Sequence, residues 1–558
     1  MTEINYDVVI YGSDIQAFIA AFRAADELNT TGKKIALVIP DSGRYLGGLI
    51  TSGGQNYWDT SKTPDVHAGS FGDMFGTNNT SPVYMGRGYG VADMSYYLYN
   101  ALNVTYKNKI TYYQSYDIVN YTTASAPYRI TSVTIRKFGK NWATGIESYA
   151  SDTLKLNSSV FIDASQEGRL ARKVNSVATV GRCDWTANRI TNPTDRSEFT
   201  SKETKVGKQQ AATLMLMMNN INDGASGMGW EEYTFDNKKK CMAWGGAEQV
   251  RTSEDVKIFN ETYGTPIPGV RPGMYIKPLN AARDGYSSEN WWVNALLIFD
   301  VDGRAHEKDK GTAFYPNDML SDSWNVDDAW RAVRNCLNND ETFRIRLRNA
   351  IRTMPGFEDA DFVTDPLHGD YRVGDSLYLR ETVHMSESNV ADKQGTENSN
   401  YAVTAYECRD AGTGNSSSDK DYGNKATRIG LAHYQSDIHP YRIEHILSDG
   451  EYIYGKPGYK LIRDDIKDPD HPVYLPFSVM TTHYVSNLFL AGYAINASSY
   501  AWGELRVFPN LCTIGDAAGI AAAYAAKNGL TALQIGENST HIANVQSRLR
   551  VYGARLDK

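Results

Sequence analysis

The chain has 558 residues, is 41% hydrophobic, and carries a net charge of −8 with a pI near 5.8. That length predicts two or more domains or one large discontinuous one, and the acidic balance argues against a protein that coats nucleic acid, although a local basic channel would not show in the total. Five scattered cysteines with no C-x-x-C pair exclude a disulfide scaffold, a zinc ribbon and an iron–sulfur cluster.

No run approaches the roughly 20 apolar residues of a membrane span. The N-terminus enters its first strand with no charged-then-apolar leader. A soluble, cytoplasmic protein with no membrane partner is expected.

Tyr6 to Asp59 reads as strand, tight turn, helix, strand and glycine-rich loop. Asp7 to Tyr11 is apolar and β-branched, Gly12 ends it, Ile15 to Leu28 is apolar on a helical period, and Lys33 to Ile39 is a second apolar run. Such a βαβ unit sets a helix N-terminus where a pyrophosphate can sit. The G-x-G-x-x-G pattern is incomplete. Gly12 and Ala17 satisfy its first and third positions, but Asp14 replaces the second glycine and would repel a pyrophosphate unless it turns away. Ile39 stands where an acidic residue would bind a ribose, and Asp41 follows two residues later. By itself the stretch fits equally an α/β unit without a cofactor.

The loop Tyr45 to Gly54 holds Gly47, Gly48, Gly53 and Gly54, which allow close backbone approach to a flat or anionic group; Leu46, Leu49 and Ile50 imply that it is packed. Residues 60–90 are expected to form an extended loop or lid, and Val91 to Leu102 a helix. Ile110 to Tyr121, Arg129 to Phe138 and Ser148 to Leu156 predict strands of a β-meander. Val160 to Gly168 reads as a buried strand entering a polar turn and helix. From about 186 to 480, polar loops alternate with Trp- and Tyr-bearing strands (Met242 to Trp244, Trp291 to Phe299), and one helix is expected near Val326 to Arg352. Asn487 to Ile495 is another buried strand. A loop with Trp502, Glu504 and Arg506 follows, then Gly515-Asp516-Ala517-Ala518-Gly519 opening a helix over Ile520 to Lys527, and a terminal helix over Val545 to Tyr552.

Several segments together resemble one family. LGGLITSGGQNYWD (46–59), VFIDASQEGRLA (160–171), YLRETVHM (378–385), AHYQSDIHP (432–440), the run NLFLAGYAINAS to IGDAAGIAAA (487–524) and VQSRLRVYGARL (545–556) are similar, in order, to segments of the FAD-dependent oxidoreductases of the glutathione-reductase-like two-dinucleotide-binding superfamily. The resemblance implies an α/β fold: a Rossmann-like FAD-binding domain with a central parallel sheet and a β-meander (1–185 and 481–558), and a discontinuous α+β substrate-binding domain (186–480). It implies FAD, with Gly12, Ser13 and Gln16 flanking the pyrophosphate. Asp41 would take the adenosine ribose, Ile118 would meet the adenine, and Ser165 would lie at the sheet edge. Gly47, Gly48 and Thr51 would contact the ribityl chain or ring, and Arg506 would lie near the ring. Asp516 would reach the pyrophosphate–ribityl region. The helix opened by Gly515 would aim its dipole at the flavin, with Ala518 and Gly519 small to admit the ring.

Flavin chemistry needs a substrate C–H over the ring and a base for the adjoining proton. His439 and His433 are the candidates, with Asp437 to orient one of them; a satisfied structural histidine is the alternative for each. His384 and His483 are weaker candidates. Arg380 would clamp a carboxylate or phosphate or stabilise an anionic flavin, or else pair with Glu381. Trp502 and Tyr500 would stack on a substrate or pack in the core. No second βαβ unit for NAD(P)H is visible and no metal-binding spacing occurs. Three readings are carried forward. The leading one is oxidation of a small polar molecule (an amine, amino acid or hydroxyl compound) by hydride transfer to flavin N5. The second is a flavin-dependent modifying or lyase-type enzyme acting on a carbohydrate- or nucleic-acid-attached group. The third is a non-catalytic binding module in the flavoprotein fold.

Overall fold

The computed structural model describes residues 1–29, 32, 34–59, 69–75, 88–174, 178–184, 206–232, 240–285, 288–385, 402–404, 407–408, 411–441, 443, 469–482 and 484–558. Most of the expected 60–90 loop lies outside the described residues; within it, Gly69–Phe75 is a short helix.

The apolar runs near the N-terminus assemble a five-stranded parallel sheet, in the order Leu488–Leu490, Val160–Asp163, Val8–Tyr11, Ile35–Ile39, Ile110–Gln114. Its strands other than the edge strand Ile110–Gln114 are buried on both faces, which explains their unbroken hydrophobicity. Strand order reverses direction around Val8–Tyr11, so a crevice opens at the carboxyl ends of that strand and its neighbours, the usual ligand position in such sheets. The helix Ile15–Leu28 lies against the helix Phe508–Asn528.

A four-stranded sheet of Thr2–Asn5, Ile146–Asn157, Arg129–Asn141 and Tyr116–Ala124 forms the meander. The single strand expected over Ile110 to Tyr121 is two strands. Ser115 takes φ of 58° and turns the chain from the parallel sheet into the meander. A third, six-stranded sheet runs Met228–Glu232, Lys240–Gly245, Met274–Arg283, Trp291–Ile298, Ala212–Asn219, Asp361–Phe362. It has its own apolar core, shared with the helices Glu254–Tyr263, Val326–Asn339 and Glu341–Arg352. The last two were expected as one helix. They separate at Asp340, whose side chain accepts from the Phe343 N–H and starts a new helix.

Three further expectations are corrected. Residues 165–174 form turns and no helix, because the Asp163 carboxylate accepts from the backbone N–H groups of Ser165, Leu170 and Ala171 and pins that chain reversal. The loop carrying Trp502 and Glu504 is the helix Ser499–Leu505, capped by Ser498. The next helix begins at Phe508 with Pro in its first turn, not at Gly515. Gly515 and Gly519 are interior to it. A Cβ on either would stand 2.8 Å from the Gln16 carbonyl oxygen or 2.4 Å from that of Ala20, so their smallness serves the contact between the two helices.

Candidate active site

Two clefts flank the segment Asp375–Arg380. Leu379 lines the first, and Tyr378 and Arg380 line the second. The glycine-rich loop lines the first through Gly48 and Leu49, and the segment that follows it lines the second through Gln55, Tyr57 and Asp59.

The first cleft, about 860 Å³, opens at the carboxyl edge of the parallel sheet and is lined by Tyr11, Ser13, Asp14, Asp41, Gly48 and Ser165, among others. Asp14 caps the first helix in position only. Its Oδ1 accepts instead from the Leu49 N–H at 2.8 Å, so it ties the first turn to the glycine-rich loop. Gly48 must be glycine there, since its φ is +59° and a Cβ would fall 2.4 Å from that same oxygen. Burial raises the Asp14 carboxyl to about 6 against the Leu49 N–H. Asp41 accepts from the Gly43 N–H at 2.7 Å through Oδ1. Burial first, then the Gly43 bond opposing and Asp375 adding, places its carboxyl at about 7.

Behind these, Arg169 is fully buried and holds Asp309 (2.6 and 2.8 Å), Asp117 (2.7 Å) and the Ile118 carbonyl (2.8 Å). Ile118 is buried and is absent from the cleft wall, where Asp117 stands. His306 bridges Glu167 (3.2 Å) and Asp327 (3.7 Å). Burial and Lys308 press its imidazole down, but Glu167 and Asp327 prevail and raise it to about 10.

The orphaned oxygens test whether this cleft suits a dinucleotide. Asp41 Oδ2 and Asp14 Oδ2 are buried with no hydrogen-bond partner among the described residues. Buried acceptors are nearly always satisfied, so two unsatisfied carboxylate oxygens in a cleft wall fit ligand hydroxyl donors such as those of a ribose. Gln16 donates to the Ala164 carbonyl oxygen at 2.9 Å, and a Cβ on Gly12 would stand 2.7 Å from that same oxygen, so both residues serve the contact with the sheet edge. Gly47 and Thr51 shape the glycine-rich loop; Thr51 Oγ1 donates to Gly48 O at 3.4 Å. Asp516 lies away from both clefts, paired with Arg23 Nε at 2.7 Å and accepting from the Ser70 N–H at 2.8 Å. Ala518 is fully buried beside it.

The second cleft, about 910 Å³, gathers Arg380, Asp437, His439 and Arg506. Three of these come from sequence segments more than fifty residues apart. Arg506, at the C-cap of the helix Ser499–Leu505, donates to Tyr378 Oη at 2.8 Å and pairs with Asp437. His439 Nε2 lies 3.3 Å from Asp437 Oδ1, and its backbone N–H donates to Gln210 at 2.8 Å. Burial raises Asp437, but Arg506 and then His439 outweigh it and hold the carboxyl below the usual range. Burial and then Arg380 depress His439 to about 3, against the pull of Asp437. Arg380 donates to the Ala211 carbonyl at 2.7 Å and its guanidinium lies 4.6 Å from the Tyr378 ring centre.

His433 is not brought into this cleft; its Nε2 is 3.5 Å from the Pro469 carbonyl. His384 is buried against Glu381 at 3.0 Å. His483 lies outside the described residues. Trp502 is buried and donates to the Arg380 carbonyl at 2.8 Å, and Tyr500 bonds Ser436 at 2.8 Å. Sequence reasoning missed Lys277, Asp59, Tyr378 and Tyr434, all in the cleft wall. A Pro at 278 inside an otherwise strand-like run was the available signal for Lys277.

The model of the FAD dependent oxidoreductase family matches residues 7–549, and the chain belongs to that family. It is an FAD-dependent enzyme, which sets aside the non-catalytic module. No curated protein is significantly similar in sequence. Among solved structures, it is similar to a geranylgeranyl bacteriochlorophyll reductase-like protein from Thermoplasma acidophilum (8% identity, 99% of this chain and 85% of that one, TM-score 0.36). It is also similar to the flavin-dependent halogenase CmlS (10% identity, 98% of this chain and 62% of that one, TM-score 0.37). No helix among the described residues is long and apolar enough to cross a membrane.

Proposed function

We propose that the second cleft oxidises a small polar substrate, an amine, amino acid or hydroxyl compound, with His439 as the proton acceptor. In this reading residues 1–185 and 481–558 bind FAD and residues 186–480 face the substrate. Ser13, Asp41, Gly48 and Ser165 hold the cofactor in the first cleft, and bound FAD supplies the hydride acceptor.

The observation that carries the reading is the placement of His439 in the second cleft with its Nε2 3.3 Å from Asp437 Oδ1. Burial and then Arg380 depress it to about 3, so its imidazole is neutral across the physiological range but weakly basic until a bound anion offsets Arg380. With Nε2 donating to Asp437, Nδ1 is the basic nitrogen. The imidazolium formed on accepting a proton is stabilised by the same carboxylate. Asp437 is in turn held by Arg506, so the base is oriented by a chain of buried charges. Arg380 supplies a fixed positive charge beside it.

The test is anaerobic mixing of the yellow holoprotein with amines, amino acids, hydroxy compounds, sugars and nucleosides, following loss of flavin absorbance. His439→Gln should retain its flavin and slow bleaching by about 10²–10⁴-fold. An unchanged rate removes His439 from the mechanism. Bleaching by sugars or nucleosides alone would transfer the assignment to the carbohydrate- or nucleic-acid-directed reading.

A further inference from the structure

Lys277 stands in the wall of the second cleft, 6% exposed. Among the described residues its Nζ donates only to the carbonyl oxygens of Pro278 (2.9 Å) and Asn294 (3.0 Å). No carboxylate pairs with it there. The backbone explains how it reaches this place. Lys277 belongs to the strand Met274–Arg283, whose pairing with Trp291–Ile298 loses register between Ile276 and Asn280. Pro278 has no N–H to continue the ladder, and an irregularity of this kind re-aims the side chain beside it. A buried ammonium without an anion is costly, and a sheet built only for packing would put an apolar residue here.

The charged and titratable groups facing Lys277 are Arg380, Arg506, Asp437, His439 and Asp59, with the phenols of Tyr57, Tyr378 and Tyr434. Asp437 is engaged by Arg506 and His439, and Asp59 accepts from the Tyr434 hydroxyl. Burial first, then Arg380, depress the Lys277 amine to about 7. With both aspartates and both arginines ionised and His439 neutral, the wall is balanced when Lys277 is uncharged and carries one positive charge when it is protonated. A single negative charge on the ligand completes that balance; a dianion does not.

We infer that the second cleft receives a carboxylate-bearing substrate and that Lys277, beside Arg380, is the residue that binds its carboxylate. This deepens the oxidation reading by naming a substrate class, and it rests on that reading for the role of the cleft. Two consequences follow from charge alone. Binding draws a proton onto Lys277, so affinity is full below pH 7 and falls as pH rises above it, by about tenfold per unit. The bound carboxylate also offsets the Arg380 charge that depresses His439, and so brings that base closer to its working range.

The probe is propionate, compared with its neutral isostere propionamide and with inorganic phosphate. Each is titrated anaerobically into holoprotein between pH 6 and 9, and the flavin absorption band reports binding. Propionate should bind at least about tenfold more tightly than propionamide, since a charged group meets its buried counter-charge. Lys277→Met should lose at least about tenfold in propionate affinity while leaving propionamide unchanged. Lys277→Arg should keep propionate binding but abolish the fall above pH 7, because the guanidinium does not titrate there. Equal binding of acid and amide, a pH slope that survives in Lys277→Arg, or tighter binding of phosphate than of propionate overturns the proposal.

The two readings fail separately. Neutral amines that bleach the flavin through His439, with propionate ignored, would refute the carboxylate assignment alone. Lys277-dependent propionate binding, with His439→Gln bleaching as fast as wild type, would refute the proton-acceptor reading alone.

Discussion

The two clefts lie side by side and differ in charge: acids dominate the first, while acids and cations nearly balance in the second. Five aspartates and two glutamates line the first against two lysines and one histidine. Two aspartates line the second against two arginines, one lysine and one histidine. The contrast determines what each can recognise. In the first, burial raises Asp14 and Asp41 toward neutrality, so the wall offers acceptors and protonated acids suited to hydroxyl-bearing groups. In the second, burial and then Arg380 depress His439 and Lys277, so the wall offers a neutral base and an amine that charges when an anion arrives. Burial is the leading cause in both clefts: it favours the neutral acid in the first and the neutral base in the second.

Four measurements would break or sharpen that contrast. The largest effect belongs to the second cleft: Arg506→Met should lower unfolding free energy by about 3–5 kcal/mol in urea, because it strands the buried Asp437 carboxylate without its main counter-charge. A loss below ~1 kcal/mol would mean that the cleft is better hydrated than its burial implies.

The second measurement concerns the first cleft and pH. Asp14 and Asp41 are raised in the folded chain, so their contribution is full below the ordinary carboxylate range and is lost as pH rises through about 6 and about 7. Apoprotein should therefore lose about 3–4 kcal/mol between pH 5 and pH 7, read from its urea midpoint, and Asp41→Asn should flatten that slope. A midpoint that rises over this range contradicts the assignment.

Third, Asp41→Asn should weaken FAD retention about tenfold while leaving the spectral response to propionate in the remaining holoprotein unchanged. Weakening of both together would deny the clefts their separate roles. The smallest effect is a surface control. Arg548 pairs with Glu27 at 2.6 Å with its side chain 43% exposed, and Arg548→Ala should shift stability by no more than about 1 kcal/mol.

Much of the architecture is legible in residue order. Val8 to Tyr11, Ile35 to Ile39 and Val160 to Asp163 are continuous apolar runs because both faces of a parallel sheet are buried. The meander strands after Ser115 show the alternation of a half-exposed sheet. His439 and Asp437 could be chosen together because they stand two residues apart in a recognisable segment. Gly515 and Asp516 misled for a local reason. Both are weak helix formers and read as a helix start, whereas contacts with Gln16, Arg23 and Ser70 hold them inside a helix that Pro509 opens.

By itself, then, the amino-acid sequence determined the βαβ frame, the family and four of the charged or titratable residues of the second cleft, Arg380, Asp437, His439 and Arg506. These are carried by hydrophobic period and short motifs, which are local. Only the tertiary structure decided that Asp14 turns to the Leu49 N–H, that Asp41 keeps an unsatisfied oxygen toward the first cleft, and that Lys277 enters the second. Each depends on where a distant backbone lies: the glycine-rich loop for Asp14, the sheet edge for Asp41, the slipped register with Trp291–Ile298 for Lys277. Side-chain direction and burial are set by those long-range neighbours, and no periodicity in the chain encodes them.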